Sequence, residues 1–173
     1  MIEIWTIGHS THTIEEFASL LDRHAIEVIA DVRRFPGSRR LPQFQSETLA
    51  TELAARGIGY VWIASLGGRR RPDPASINTG WRHPAFRAYA DHLLTEEFAD
   101  GLFELLTIAE GARTAVMCAE VLWWRCHRRL IADALTFLGV RVQHILGDGK
   151  VVTHEIAPPA RIVGGAITYT MSS

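Results

Sequence analysis

The sequence predicts an α/β fold: one three-layer, Rossmann-like domain with a mostly parallel sheet of about five strands and helices on both faces. Three observations predict it. Short apolar runs, each closed by a glycine or a polar turn, alternate along the chain with segments of helical periodicity. The runs are continuously apolar rather than alternating, as strands covered on both faces are. At 173 residues the chain fits one domain. That domain is expected over residues 1–154, with 155–173 as a C-terminal tail that packs on it or extends it.

Taken in order, Ile2 to Ile7 is a buried strand that stops at Gly8. Thr13 stands three residues before Glu16, a capping-box spacing, and Phe17, Leu20, Leu21 and His24 follow on one helical face. Ile26 to Val32 is the second strand. Two prolines and a glycine between Arg34 and Phe44 exclude a regular helix there. Ser46 is the expected cap of a helix that runs to Arg56 and stops at Gly57. Ile58 to Ile63 is the third strand, followed by the basic loop Leu66 to Pro72. Helical periodicity from Pro84 to Glu110 breaks near Thr95, which caps the second piece. Arg113 to Cys118 is the fourth strand, Trp123 to Leu138 a helix stopped by Gly139, and Val140 to Ile145 the fifth strand. The tail carries two prolines, a Gly164-Gly165 pair and a late strand over Ala166 to Thr170.

Composition excludes several classes. No apolar run approaches the ~18 residues of a membrane helix, so no membrane partner is expected. The first residues have no basic region and no cleavage site, and two cysteines make no disulfide framework. A reducing cytoplasm is the expected location. Net charge is −1, so the protein is no polycation. Its cations are nearly all arginine, with Lys150 the single lysine; arginine grips phosphate and carboxylate with a planar fork.

In open parallel sheets ligands bind outside the carboxyl ends of the strands. Here those loops hold His9, Ser10 and His12; then Arg33, Arg34, Ser38, Arg39 and Arg40; then Arg69, Arg70 and Arg71; then Cys118, Glu120, Arg125, Cys126, His127 and Arg128. Acids there are few, mainly Asp31, Asp73 and Glu120, because most carboxylates fall on helices. A cationic edge for an anionic ligand is expected, although loop arginines are also ordinary solvated residues.

Single residues leave alternatives. Cys118 ends a strand, where it is either a nucleophile activated by nearby arginines or a small core residue. Cys126 and His127 are expected inside a helix, about 100° apart, so a Cys118–His127 pair is favoured over neighbours. Their spacing with Cys118 matches no standard zinc pattern, and no metal is assigned. Cys118 to Arg125 is one residue too long, and too bulky at Val121-Leu122-Trp123-Trp124, to be a phosphatase loop. Trp123 and Trp124 either stack on a base or pack in the core. Asp31 is a general base or the ion-pair partner of Arg33. His9 is an acid/base or a phosphate donor. Gly67-Gly68 admits a ligand close to the backbone or simply turns the chain.

The motifs Thr6-Ile7-Gly8-His9-Ser10, Asp31-Val32-Arg33 with Pro36, Ser38 and Arg39, Leu66-Gly67-Gly68, Met117-Cys118-Ala119-Glu120, Cys126-His127-Arg128 and His144-Ile145 occur in this order. Together they resemble the domain of unknown function 488 family, up to about His154. The resemblance implies no established reaction. It adds weight to Gly8, His9, Ser10, Asp31, Arg33, Ser38, Cys118, Glu120, Cys126, His127 and Arg128. This chain departs from the family between Glu120 and Cys126, where a short polar, proline-containing turn is usual.

The expected function is therefore an enzyme acting on a phosphate-bearing ligand, a nucleotide or nucleic acid. Cys118 is the candidate nucleophile, and His9, His127, Glu120 and Asp31 are the candidate acids and bases. Ser10, Arg33, Ser38, Arg39, Arg69 and Arg128 are the candidate ligand-binding residues. The sequence names no cofactor. Two rivals stand beside this: a non-catalytic nucleic-acid-binding module with Trp, Phe35 and Phe44 as stacking platforms, and a thiol redox or metal-sensing protein using Cys118 and Cys126. A homodimer through a sheet edge or an apolar helix face is compatible with the pattern, though no stripe singles one out.

Overall fold

The computed structural model describes residues 1–171. Five parallel strands form the body of one sheet: β1 (Glu3–Gly8), β2 (Val28–Asp31), β3 (Gly59–Trp62), β4 (Thr114–Cys118) and β5 (Arg141–Ile145). A sixth strand, β6 (Val151–Thr153), adds antiparallel to β5. The spatial order is β3-β2-β4-β1-β5-β6. The helices are α1 (Ile14–Arg23), α2 (Ser46–Ala54), α3 (Pro84–His92), α4 (Glu96–Gly111) and α5 (Arg128–Phe137). A hairpin of β7 (Arg161–Val163) and β8 (Ala166–Thr168) closes the described chain.

Two apolar cores make the three layers. Phe17 and Leu21 of α1 and Leu49 and Leu53 of α2 pack on Trp5, Ile7, Ile29 and Met117. On the opposite face Tyr89, Leu102, Leu105, Leu130 and Leu135, from α3 to α5, pack on Ile4, Ala30, Val116 and Val142. Alternate residues of β1 thus serve opposite cores, as strand geometry requires, and both faces of the sheet are covered. The mostly parallel α/β architecture is the predicted one, with one strand more than expected.

The chain leaves β1 and β2 toward the α1–α2 face and leaves β4 toward α5 on the other face. β4 lies between β1 and β2, so the carboxyl end of β4 is where neighbouring connections diverge, the crevice such sheets offer to ligands.

Local predictions hold where side chains decide them. Thr13 and Glu16 form the full capping box, and Thr95 caps α4. Three segments differ. Gln45, not Ser46, is the cap of α2, because a 3-10 turn over Pro42–Phe44 delivers the chain one residue earlier. The expected helix from Trp123 is broken: Trp123–Arg125 is one 3-10 turn, Cys126 is extended at φ −124° and ψ 153°, and α5 starts at Arg128. The tail folds back, placing Tyr169 in the core beside Trp81. Among the described residues no helix is long and apolar enough to cross a membrane.

Candidate active site

A pocket of about 510 Å³ opens at the end of β4. Its base is Cys118, Cys126 and His127; Phe35, Phe86 and Tyr89 line its walls; Arg34, Arg69, Arg125 and Glu120 also line it. Arg34, Arg69 and Arg125 have no hydrogen-bonded or ion-paired protein partner among the described residues. Arg69 instead sits 5.9 Å over the Phe35 ring.

Cys118 and Cys126 are both free thiols, with sulfurs 2.7 Å apart. The break before α5 creates this contact. With Cys126 extended rather than helical, its Sγ also lies 3.4 Å from His127 Nδ1 and accepts the Arg128 backbone N–H at 3.5 Å. The Cys–His pair is therefore Cys126–His127, not the expected Cys118–His127; the helical separation does not apply because only the residues after His127 are helical. His127 Nε2 donates to the Val32 carbonyl at 2.8 Å. Its Nδ1 then faces the Cys126 sulfur with a lone pair, as a proton acceptor.

The two thiols are driven in opposite directions. Burial, then the hydrogen bond and charge of Cys126, push Cys118 well above the ordinary thiol range. Burial opposes ionisation of Cys126 too, but the Cys118 hydrogen bond, His127 and Arg128 outweigh it and hold Cys126 well below that range. A thiol just ahead of a helix start gains further from the helix N-terminus. Of the two, Cys126 is the thiol favoured to ionise, with the Cys118 sulfur 2.7 Å away.

Behind the thiols lies Arg128, with no exposed surface. It donates to the Thr6 hydroxyl at 3.1 Å and to the carbonyls of Glu120 at 2.5 Å and Val121 at 3.4 Å; its Nε has no partner. Among the described residues no carboxylate pairs with it. From Thr6 a buried chain runs to His144 Nδ1 at 2.6 Å, from His144 Nε2 to His154 Nδ1 at 2.9 Å, and from His154 Nε2 to Asp133 at 2.7 Å. Tyr169 donates to the other Asp133 oxygen at 2.7 Å. Arginine only donates, so Thr6 accepts from it and passes its own proton to His144. Each bond then points the same way, and His144 is neutral. Burial and the neighbouring His154 and Arg128 lower His144 to about 2. The Trp123 ring lies flat on His144 at 4.1 Å, so Trp123 serves packing rather than base stacking.

Other candidates take structural places. Arg33 holds both Asp31 oxygens, at 2.7 to 3.2 Å, and donates to the Phe44 carbonyl at 2.7 Å, the Pro36 carbonyl at 3.5 Å and His9 Nε2 at 3.4 Å. All three of its side-chain nitrogens are engaged within the protein, and Tyr60 donates to the same Asp31 carboxylate. His9 Nδ1 donates to the Ser10 carbonyl at 2.8 Å, and its ring stacks on Phe44 at 4.2 Å. Burial and Arg33 lower His9 to about 4, with the Ser10 bond only partly offsetting them. Phe44 is fully buried and offers no stacking platform, whereas Phe35 is 64% exposed. Ser38 caps the Leu41 N–H, Arg39 is exposed, and neither they nor Ser10 line the pocket. Glu120 does, while one of its oxygens accepts the Leu122 N–H.

The glycine motifs serve the protein itself. A Cβ on Gly68 would lie 2.9 Å from His127 Nδ1, and one on Gly67 2.9 Å from the Arg34 Cα. A Cβ on Gly8 would collide with the Glu120 backbone. Among the described residues no group of three or more His, Cys, Asp or Glu side chains is placed to hold a metal ion.

Sequence reasoning ranked Cys118 above Cys126 and gave no role to Thr6, Asp133, His144, His154 or Tyr169. One signal was available for Cys126: it stands two residues before a basic helix start. For the buried chain, Thr6 and His144 stand in motifs but nothing in the sequence joins them, since its members come from β1, α5, β5, the end of β6 and the tail.

Fold and site define an α/β protein with a paired-thiol pocket at the carboxyl edge of its sheet. The chain belongs to the family described as domain of unknown function DUF488, whose model matches residues 13–135. That span covers Cys118, Cys126 and Arg128, while Thr6, His9 and His144 lie outside it. No curated protein and no solved structure matches the chain.

Proposed function

We propose that the protein is an enzyme that directs a Cys126 thiolate at an electrophilic centre of an anionic, phosphate-bearing substrate of nucleotide size. The observation that carries this is the Cys126 sulfur held between Cys118 at 2.7 Å and His127 at 3.4 Å, in front of a buried arginine with no carboxylate. Three unpartnered arginines around the same pocket support an anion. The aromatic wall of Phe35 and Phe86 suits a flat organic group. A volume of about 510 Å³ fits a small ligand better than a duplex.

Cys126 forms the new bond, and its proton passes to His127 Nδ1. The bond to the leaving group breaks, and that proton returns to the leaving group from the imidazolium. Water then cleaves the enzyme adduct. Arg34, Arg69 and Arg125 bind the anion, and Glu120 is the carboxylate that lines the same pocket.

The test is iodoacetamide labelling of the full chain from about pH 5 to about pH 9, with peptide mapping. Cys126 is expected to react at a pH well below an ordinary thiol, ahead of Cys118, and to be protected by a nucleoside monophosphate. A free-thiol profile at Cys126, with no protection by phosphate or nucleotide, overturns the reading.

A further inference from the structure

We propose that Cys118 and Cys126 also form a reversible dithiol–disulfide couple that exchanges with an anionic, low-mass disulfide or its thiol in the same pocket. This rests on the Cys126 thiolate of the preceding reading and adds a second activity to it. Three features point to it. The sulfurs are 2.7 Å apart, so Cys118 is positioned to attack anything that Cys126 has bound through sulfur. The two thiols are differentiated, as exchange requires: one ionised attacker and one protonated resolver. Both line an open pocket rather than a sealed core, beside arginines that lack partners.

The steps balance. Cys126 thiolate attacks one sulfur of R–S–S–R′, forming Cys126–S–S–R and releasing R′–S⁻, which takes a proton from the His127 imidazolium. Neutral His127 then accepts the Cys118 proton. The Cys118 sulfur attacks Cys126 Sγ, the Cys118–Cys126 bond forms, and R–S⁻ leaves, protonated in turn from His127. Two protein thiols are oxidised and one substrate disulfide is reduced to two thiols. A low-mass thiol reverses both steps and restores the pair.

Arg128 sets the direction of poise. In the reduced state the thiolate compensates its buried charge. In the disulfide that compensation is gone, and among the described residues Arg128 keeps a hydroxyl and two carbonyls as its side-chain hydrogen-bond partners. The reduced form is therefore favoured and the disulfide is readily reduced. The groups that face Cys126 are Cys118 from β4, His127 and Arg128 from the start of α5, and Tyr89 from α3, whose ring lies 5.0 Å from that of His127.

The experiment equilibrates the full chain in oxidised and reduced glutathione, an anionic disulfide and thiol, then quenches with acid and maps the peptides. A Cys118–Cys126 disulfide is expected under excess oxidised glutathione and is lost as reduced glutathione rises. In Cys118→Ser the reaction stops at a glutathione adduct on Cys126. Arg128→Met shifts the equilibrium toward the disulfide by about tenfold or more. Should that variant not fold, His127→Gln shifts it the same way by less; an unchanged equilibrium there counts against the couple. If Cys126 is a reactive thiolate in the labelling assay but no internal disulfide forms, the couple falls and the thiolate reading stands. If Cys126 is unreactive in both assays, both fall.

Discussion

Two buried arginines flank the pocket, and they are partnered in opposite ways. Arg33 is neutralised at rest, with both oxygens of Asp31 on its guanidinium and backbone carbonyls on its remaining nitrogens. Arg128 has a hydroxyl, two carbonyls and an unpartnered Nε, with no carboxylate in contact. Burying a cation costs several kcal/mol unless a charge answers it. At Arg33 the answering charge is Asp31; at Arg128 the ionisable group alongside is Cys126, whose sulfur accepts the Arg128 backbone N–H. The first arginine holds the loop after β2, and the second sets the chemistry of the cysteines.

The largest effect is expected on the Arg33 side. Asp31→Ala strands a buried guanidinium and costs about 3–5 kcal/mol in urea unfolding, while Asp31→Leu with Arg33→Met costs much less. In the folded fraction of either variant Cys126 labelling is unchanged. Arg128→Met does the reverse: stability near neutral pH moves little, and labelling of Cys126 at pH 7 falls by about tenfold or more. A thiol profile that moves with Asp31 and not with Arg128 would sink the distinction.

Each arginine also has a histidine held neutral beside it, which gives an effect on the order of 3 kcal/mol. His9 falls from its ordinary range to about 4. A histidine lowered on folding leaves the unfolded chain binding more protons, so its stabilisation is full above about pH 6.5 and is lost as pH falls toward 4. His9→Gln is expected to flatten that stretch of the acid limb in urea titrations. His144, lowered to about 2, continues the loss below pH 4. A limb that is the same in His9→Gln and in the parent protein rules this assignment out. Cys126 works at the other end. An acid lowered on folding gives stability that is present above the ordinary thiol range and lost as pH falls through its folded value. Cys126→Ser removes that rise.

How much of this was legible follows from distance along the chain. The sheet, its two covered faces and the caps at Thr13 and Thr95 rest on local apolar runs and spacings of three residues, and they can be read directly. The carboxyl-edge location of the pocket follows from strand direction alone. The partnership of Asp31 and Arg33 was readable because only Val32 separates them. The sequence favours Cys118 as the candidate nucleophile and a helix from Trp123, whereas the Trp123–His144 stack and the extended Cys126 interrupt that helix and bring Cys126 against Cys118 and His127. Arg128 is a candidate in the sequence, but the hydrogen-bonded chain behind it is not readable, because Thr6 and His144 are 138 residues apart and meet only as neighbours across β1 and β5.

The smallest effect tests whether that chain transmits charge or only fills space. Tyr169 is its farthest member, donating to Asp133 from the tail at 2.7 Å. Tyr169→Phe keeps the ring against Trp81 and removes one buried hydrogen bond, which costs about 1 kcal/mol in unfolding. Asp133 still accepts from His154, so Arg128 keeps its orientation and Cys126 labels as before. Thr6→Val cuts the chain at the Arg128 end instead. It leaves Arg128 a second nitrogen without a partner, and His144 Nδ1 without a donor. A comparable loss of stability is expected there, now with a shifted Cys126 labelling profile. If Tyr169→Phe shifts that profile as far as Thr6→Val does, the tail belongs to the thiol site rather than to the packing beneath it.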